Sequence, residues 1–515
     1  MRSADLPGQW LIATEARLVP AGWRSMQLGD FHVAWNAPLP CTRLGGNGAI
    51  FGFILGWYIG SDGVLLGEVK QPSTPGREGF DETLALLAGN YVCLLAAGSD
   101  IRLYLDACGS LSAYYAAEQQ CITSNIFLIP DAQSQRDNRR YAGRFDIPAS
   151  NWMFPVGMTP RVDVERLLPN HYLDLTSWKA VRHWPKTSLS ETTDVRQTVA
   201  EIGNLVARNI SAVARAVPIQ MSLTAGRDSR MLLACARPWV SQASFFTSEI
   251  RDRSGRVDVH VAQRLAETFG LRHKVLPFLE SSEADAAKWV YRTGMCVGER
   301  RGFEAYRTDM QMDPGRAHLP GMAVELARGF YWYFLDGLPD PDDRDCLSKA
   351  LLKLICAPID RHTLARMTTW MSGVPASSPW GLLDFFYLEQ RLGCWAGVLG
   401  YAYADMVRFE SWPLNSRRLT ALMLSLPFEY KAAARLNDDV IRSRWPELLE
   451  MPYNKGNVYF HLVHAIAHPV EEAARLRLLR ALANPLTAVR KMRRRWAAWR
   501  MRSRARRKLR AAVGQ

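Results

Sequence analysis

The sequence predicts an α/β protein in two parts, an antiparallel-sheet half followed by a parallel sheet covered by helices. Three observations carry that expectation. From Leu84 onward, short β-rich runs are separated by turn residues at hairpin spacing. From Thr192 onward, strand-like runs alternate with helical ones, the pattern of a parallel sheet with crossover helices. The 515 residues also exceed the roughly 250–300 at which a single core stops growing.

The composition, 48% hydrophobic and 22% charged, is that of a globular chain rather than a disordered or fibrous one. The longest apolar stretch, Ala49 to Gly60, is about a dozen residues against the roughly 20 of a membrane-spanning helix, and reads as a buried strand. Asp5 and Pro7 precede any apolar run, unlike a secretory signal, so the expected location is the cytoplasm. The nine cysteines form no CxxC pair and no metal-ligand spacing, which fits reduced, buried thiols.

The formal charge of +14 is local. Between Ala473 and Gln515 lie 15 basic residues and no acidic one; without them, 49 basic residues face 50 acidic ones, a net charge of −1. Nucleic acid is therefore not the expected default partner. In the tail, Leu482, Leu486, Val489, Trp496 and Trp499 fall near one side of an Arg-rich helix. That pattern suits an anionic membrane surface at the inner face, phosphate contacts of a nucleic acid, or a solvated tail without a partner.

In order along the chain, Leu84–Asp100, Ile101–Ser110, Leu111–Gln120 and Cys121–Pro130 read as hairpin strands. After the Trp184-Pro185 break, Val195, Val199, Ile202, Leu205, Val206 and Ile210 space a helix within Thr192–Val217. The run IQMSL then reads as a strand, TAGRDSR as a loop and MLLACAR as a helix; ASFFTS is a second strand, Val257–Phe269 a second helix ending at Gly270, and His273–Leu276 a third strand. Beyond Leu347 helical spacing dominates.

The loop Ser222-Leu-Thr-Ala-Gly-Arg-Asp-Ser-Arg230 sits between a parallel strand and its helix, where free amides and the helix dipole favour phosphate. Gly226 permits close backbone approach, Ser222, Thr224 and Ser229 supply hydroxyls, and Asp228 is a candidate ligand for Mg²⁺ bridging phosphate oxygens. The Walker pattern GxxxxGK[ST] is absent.

These residues resemble a family. Leu223–Ser229 is similar to the SGGxDS pyrophosphate loop of the asparagine synthetase and β-lactam synthetase group, with Thr224 and Ala225 in place of Ser-Gly. The run Asp258-x-x-x-Ala262-x-x-Leu265-Ala266-x-x-x-Gly270-x-x-His273 resembles the segment after that family's second strand. Leu319–Tyr331 lies where the family carries its second phosphate and metal loop, with Glu325 standing in for the missing Asp. Phe409–Asn415 resembles ExRxPFLD, and Met451–Gly456 the late lysine segment. Leu87–Val92 and Tyr104–Ser110 resemble the glutaminase-type N-terminal nucleophile domain, but Arg2 occupies the place of its cysteine.

The resemblance implies a glutaminase-like (Ntn-type) αββα domain without its nucleophile over 1–190. It implies a PP-loop ATP-pyrophosphatase domain of the adenine nucleotide α-hydrolase type over 191–468, before the basic tail at 469–515. It implies ATP and Mg²⁺ as cofactors, with Ser222, Leu223, Thr224, Ala225, Gly226, Asp228, Ser229, Arg230, Thr247 and Gly321 around the nucleotide and Asp228 and Glu325 on the metal. Lys455 would stabilise the charge of amide formation and Glu410 would orient the amine or take its proton.

The activity implied is an AMP-forming amide ligase that adenylates a carboxylate and couples it to an amine not drawn from glutamine, in surface-polysaccharide or natural-product synthesis. Alternatives are a lasso-peptide or lactam macrocyclase, a transfer-RNA-modifying enzyme and a non-catalytic relative. Plainer readings stand beside the site residues. Asp228 and Ser229 suit a helix N-cap, Glu325 and Arg328 an i,i+3 pair, Arg227 and Arg230 pairing with carboxylates, Lys455 a surface turn, and His461, His464 and His468 a helix face rather than a metal site.

Overall fold

Alternating burial organises the first half. In the strand Trp10–Ala13, Trp10 and Ile12 point one way while Leu11 and Ala13 point the other, and all four are buried. The computed structural model describes residues 5–46, 49–69, 77–130, 147–148, 151–333, 343–355 and 357–453. Trp10 and Ile12 join Val33, Trp35, Phe53, Leu55, Val92, Leu94, Leu103 and Leu173 in one core cluster between two six-stranded antiparallel sheets. The outer face of the second sheet packs Ile54, Cys93 and Tyr104 against Phe80 and Leu84 of the helix Arg77–Ala85. The outer face of the first packs Leu11, Ala13 and Tyr114 against Val297 and Val398, which belong to the second half.

The long apolar run forms the strand Ala49–Ile59, paired along its length with Ala88–Ala97. Gly56 and Gly89 have φ of 119° and 104°, and an added Cβ would lie 2.3 Å and 2.5 Å from backbone oxygens of the paired strand, so only glycine fits. The last strand of these two sheets ends at Arg182, and helix α1, Val195–Ala216, opens the second half with Asp194 capping the amide of Gln197.

There, β1 (Ile219–Ser222), β2 (Ser244–Ser248), β3 (His273–Leu276), β4 (Ala317–His318) and β5 (Phe409–Glu410) form an all-parallel sheet in the order β3-β2-β1-β4-β5. Both faces are covered. Phe245 buries with Ile202, Val206, Leu233 and Val261, whereas its neighbour Phe246 buries with Trp289, Tyr306 and Met406. The crossover helices are α2 (Arg227–Cys235) and α3 (Arg253–Phe269); α3 ends where Gly270 turns left-handed at φ 64°. It begins a turn before the expected Val257 because Asp252 caps the amide of Gly255, a signal outside the apolar periodicity. The chain then becomes helical and includes a π-helix at Phe386–Ala396.

Asn415 stitches the halves together. Its amide nitrogen donates to Gly89 O at 2.7 Å and Asp106 Oδ1 at 2.9 Å, and its side-chain oxygen accepts from the amide of Cys108 at 3.1 Å. Among the described residues no helix is long and apolar enough to cross a membrane.

Candidate functional site

Strand order locates the site. In a parallel sheet ordered β3-β2-β1-β4-β5, connections leave β1 and β4 in opposite directions, and the crevice beyond their carboxyl ends is where such sheets hold ligands. The loop at Ser222 follows β1 and the loop at Leu319 follows β4. They touch: a Cβ built on Gly321 would stand 3.3 Å from Cβ of Asp228.

The first loop is internally tied. The amide of Leu223 donates to Phe246 O, that of Thr224 to Ser229 Oγ at 3.3 Å, that of Ala225 to Asp258 Oδ1 at 3.0 Å, and that of Gly226 to Thr224 Oγ1 at 3.0 Å. The hydroxyls of Thr224 and Ser229 meet at 2.9 Å. Gly226 is the N-cap of α2 without a side-chain cap, so the first turn of that helix directs the positive end of its dipole at the crevice. Asp258 is the residue of the second resemblance segment that reaches this loop, from the first turns of α3.

Asp228 and Glu325, the expected metal ligands, are brought together, and between them lies a guanidinium. Arg328 donates Nη1 to Asp228 Oδ1 and Nη2 to Asp228 Oδ2, both at 2.9 Å, and Nη2 also reaches Glu325 Oε1 at 2.9 Å. Asn437 Nδ2, from helix α4 (Leu436–Arg444), adds 3.0 Å to Asp228 Oδ1. Burial, helped by the charge of Glu325, pushes the Asp228 carboxyl up to about 6 against the pull of Arg328. Burial opposes the charge of Arg328 as well, but the two carboxylates outweigh it and hold the guanidinium more firmly protonated than usual.

Glu325 and Arg328 thus form the i,i+3 pair that was the plainer reading, on the short 3-10 turn Val324–Ala327. Its N-cap, Ala323, takes φ 74°, a strained value for a residue other than glycine. Among the described residues no group of three or more His, Cys, Asp or Glu side chains is arranged to hold a metal. The two carboxylates do not fit a divalent ion in this arrangement, because hydrogen-bond donors already occupy them.

Two other expected nucleotide contacts are engaged elsewhere. Thr247 Oγ1 binds Leu223 O and meets His273 Nε2 at 2.8 Å, bracing β1 against β2 and β3. Arg230, fully buried, donates to the carbonyls of Leu448 at 3.2 Å and Pro452 at 2.9 Å and lies 4.2 Å from the Tyr453 ring centroid. Helical periodicity explains this: Arg227 and Arg230 lie one turn apart on the same side of α2, and both reach Tyr453.

Glu410, at the end of β5, accepts from Trp412 Nε1 at 2.5 Å and places Oε2 3.4 Å from His318 Nδ1. It also lines a cavity of about 70 Å³ between the halves, together with Gly8, Leu39, Trp57, Asn90 and Tyr403. Neighbouring Phe409 stacks on Trp57 with ring centroids 3.9 Å apart. A larger cleft, about 770 Å³, lies away from the strand ends beside the helix Arg361–Ser372, where Arg366 pairs with Glu165 and Arg182 with Glu389. Lys455, His461, His464, His468 and the tail from 469 lie outside the described residues.

Sequence reasoning missed the charge partner of Asp228 and the neighbour of Glu410. Arg328 lies 100 residues from Asp228, and His318 sits in a strand two residues long. The signal for Arg328 was its i,i+3 spacing from Glu325; His318 offered none. No family model and no curated protein matches the chain.

Proposed function

We propose that the chain is an ATP-dependent, AMP-forming amide ligase of the asparagine synthetase-like type, with a glutaminase-like αββα first half and a PP-loop ATP-pyrophosphatase second half. The observation that carries the reading is the junction of the Ser222 and Leu319 loops at the carboxyl ends of β1 and β4, with the N-terminus of α2 aimed into it. Two sequence segments that resemble phosphate loops of one family therefore meet in the one crevice where such sheets bind nucleotides.

In this reading the triphosphate lies over Ser222–Ser229. An oxygen of the substrate carboxylate attacks the α-phosphorus, the bond to the bridging oxygen of the β-phosphate breaks, and pyrophosphate leaves an acyl-adenylate. The amine nitrogen then attacks the acyl carbon, AMP departs, and the amine proton passes to Glu410, whose second oxygen stands beside His318. The cavity walled by Glu410 and Trp57 supports an amine approaching between the halves.

Seven cysteines among the described residues are held as neutral thiols. Burial pushes the thiols of Cys41, Cys121, Cys235 and Cys296 up to about 12, and those of Cys93, Cys108 and Cys394 rise for the same reason, all opposing thiolate formation.

The test is exchange of labelled pyrophosphate into ATP across a panel of carboxylic acids, including amino acids, uronic acids and peptides. Exchange that depends on one acid class is the expected result. Absence of both ATP binding and exchange would remove the reading.

A further inference from the structure

The carboxylates of Asp228 and Glu325 face each other across the two loops, a placement that invites a divalent cation, yet a guanidinium and two further donors occupy them. Asp228 Oδ1 accepts from Arg328 Nη1 and Asn437 Nδ2, Oδ2 accepts from Arg328 Nη2, and Glu325 accepts from Arg328 Nη2 and from the hydroxyl of buried Tyr387. A magnesium cage needs oxygen lone pairs converging at about 2.0–2.1 Å in an octahedron. Here the lone pairs converge on N–H groups, and the planar fork of Arg328 matches the Asp228 carboxylate bidentately.

The donors come from separate elements. Arg328 follows the 3-10 turn of the second loop, Asn437 sits in the first turn of α4, and Tyr387 lies in the π-helix. Arg227 and Asp438 pair at 3.8 Å nearby, adding no net charge. One positive and two negative groups leave the cluster with a single net negative charge, as a monovalent ion between the carboxylates would.

We propose that Arg328 is the resident cation of this crevice: it clamps the loop after β1 to the loop after β4 and excludes a divalent ion from Asp228 and Glu325 in the nucleotide-free protein. The location is shared with the proposed nucleotide site, but the inference requires neither ATP nor an acyl substrate. A divalent ion brought in by a nucleotide is, on this account, held by phosphate oxygens and water rather than by these two carboxylates.

The experiment is titration of the nucleotide-free full-length chain with Mn²⁺, followed by the paramagnetic resonance signal of the free ion. Wild type and Asp228→Asn should bind Mn²⁺ identically. Arg328→Ala should take up one additional Mn²⁺ per chain, and the double variant Arg328→Ala/Asp228→Asn should lose it. Arg328→Lys, which keeps the charge, should bind as wild type does. A wild-type Mn²⁺ site that Asp228→Asn removes would overturn the proposal, as would a folded Arg328→Ala chain that gains no ion. If Arg328→Ala fails to fold, the comparison of wild type with Asp228→Asn still decides. Because no nucleotide is present, failure here leaves the exchange assay to judge the ligase reading separately.

Discussion

Two arginine–carboxylate clusters in this protein look alike on paper and behave oppositely. Glu389, in the π-helix, is fully buried and saturated: Asn170 Nδ2 at 2.8 Å and Arg182 Nη1 at 2.6 Å reach Oε1, while Arg182 Nη2 and Trp370 Nε1, both at 2.7 Å, reach Oε2. Burial works to raise its carboxyl, but the charge and hydrogen bonds of Arg182 outweigh it and hold Glu389 below its ordinary 4.5. Asp228 accepts a comparable fork from Arg328 at the mouth of the crevice, yet burial and a second carboxylate push it up to about 6. The first cluster joins the two halves of the chain, Asn170 and Arg182 from one and Trp370 and Glu389 from the other. The second carries a carboxylate in excess of its arginine.

The contrast breaks most visibly at the staple. Arg182→Ala leaves Glu389 buried without its cation and should cost about 3–5 kcal/mol in urea denaturation; a loss below about 1 kcal/mol would mean that solvent reaches the cluster. Asp228→Asn, by contrast, should change stability by less than about 1 kcal/mol because the pair is partly exposed. It should nevertheless lower pyrophosphate exchange by roughly a hundredfold, since it loosens the Arg328 clamp that positions the two loops.

A third carboxyl sharpens the comparison through pH. Burial raises Asp309 from 3.8 to about 6, against the hydrogen bond from Ser248 and the charge of His318. The folded state therefore holds this proton more tightly than the unfolded chain does. The stability it contributes is complete at acid pH and is lost as pH rises from about 4 to about 6. Asp309→Asn should remove that loss and leave the protein more stable than wild type at pH 7, by on the order of 1–2 kcal/mol in thermal unfolding. A wild-type advantage at pH 7 would contradict the sign.

The smallest effect belongs to the contact between loops. Gly321→Ala places a methyl 3.3 Å from Cβ of Asp228, which the neighbour can yield by a few tenths of an ångström. About 1 kcal/mol of destabilisation is expected, with a several-fold loss of exchange. Unchanged exchange would show that the two loops act independently.

Legibility followed element length and sequence distance. The strands Ile219–Ser222, Ser244–Ser248 and His273–Leu276 were readable because short strand-like runs there alternate with loops and with helices that have their own period. Ala317–His318 and Phe409–Glu410 are two residues long, too short for any period, although the loops that follow them were found by resemblance. Resemblance placed Asp228, Gly226 and Gly321 at one expected site, and the loops that carry them lie side by side. The bond from Arg328 to Asp228 could not, since a charge pair across 100 residues leaves no local pattern. Arg230 and Thr247 were expected at the same site and make other contacts. Both lie in the right segment, but the period of the helix turns Arg230 toward Tyr453, and the pleat of the strand turns Thr247 toward His273.

The central claim is that the crevice between the loops after β1 and β4 holds a nucleotide. Calorimetric titration of ATP into wild type and into Gly226→Glu decides this, because a carboxylate at the N-cap of α2 repels phosphate where the helix dipole would attract it. One ATP should bind per wild-type chain and none to the folded variant; equal binding by both, or none by wild type, would rule out a nucleotide in this crevice.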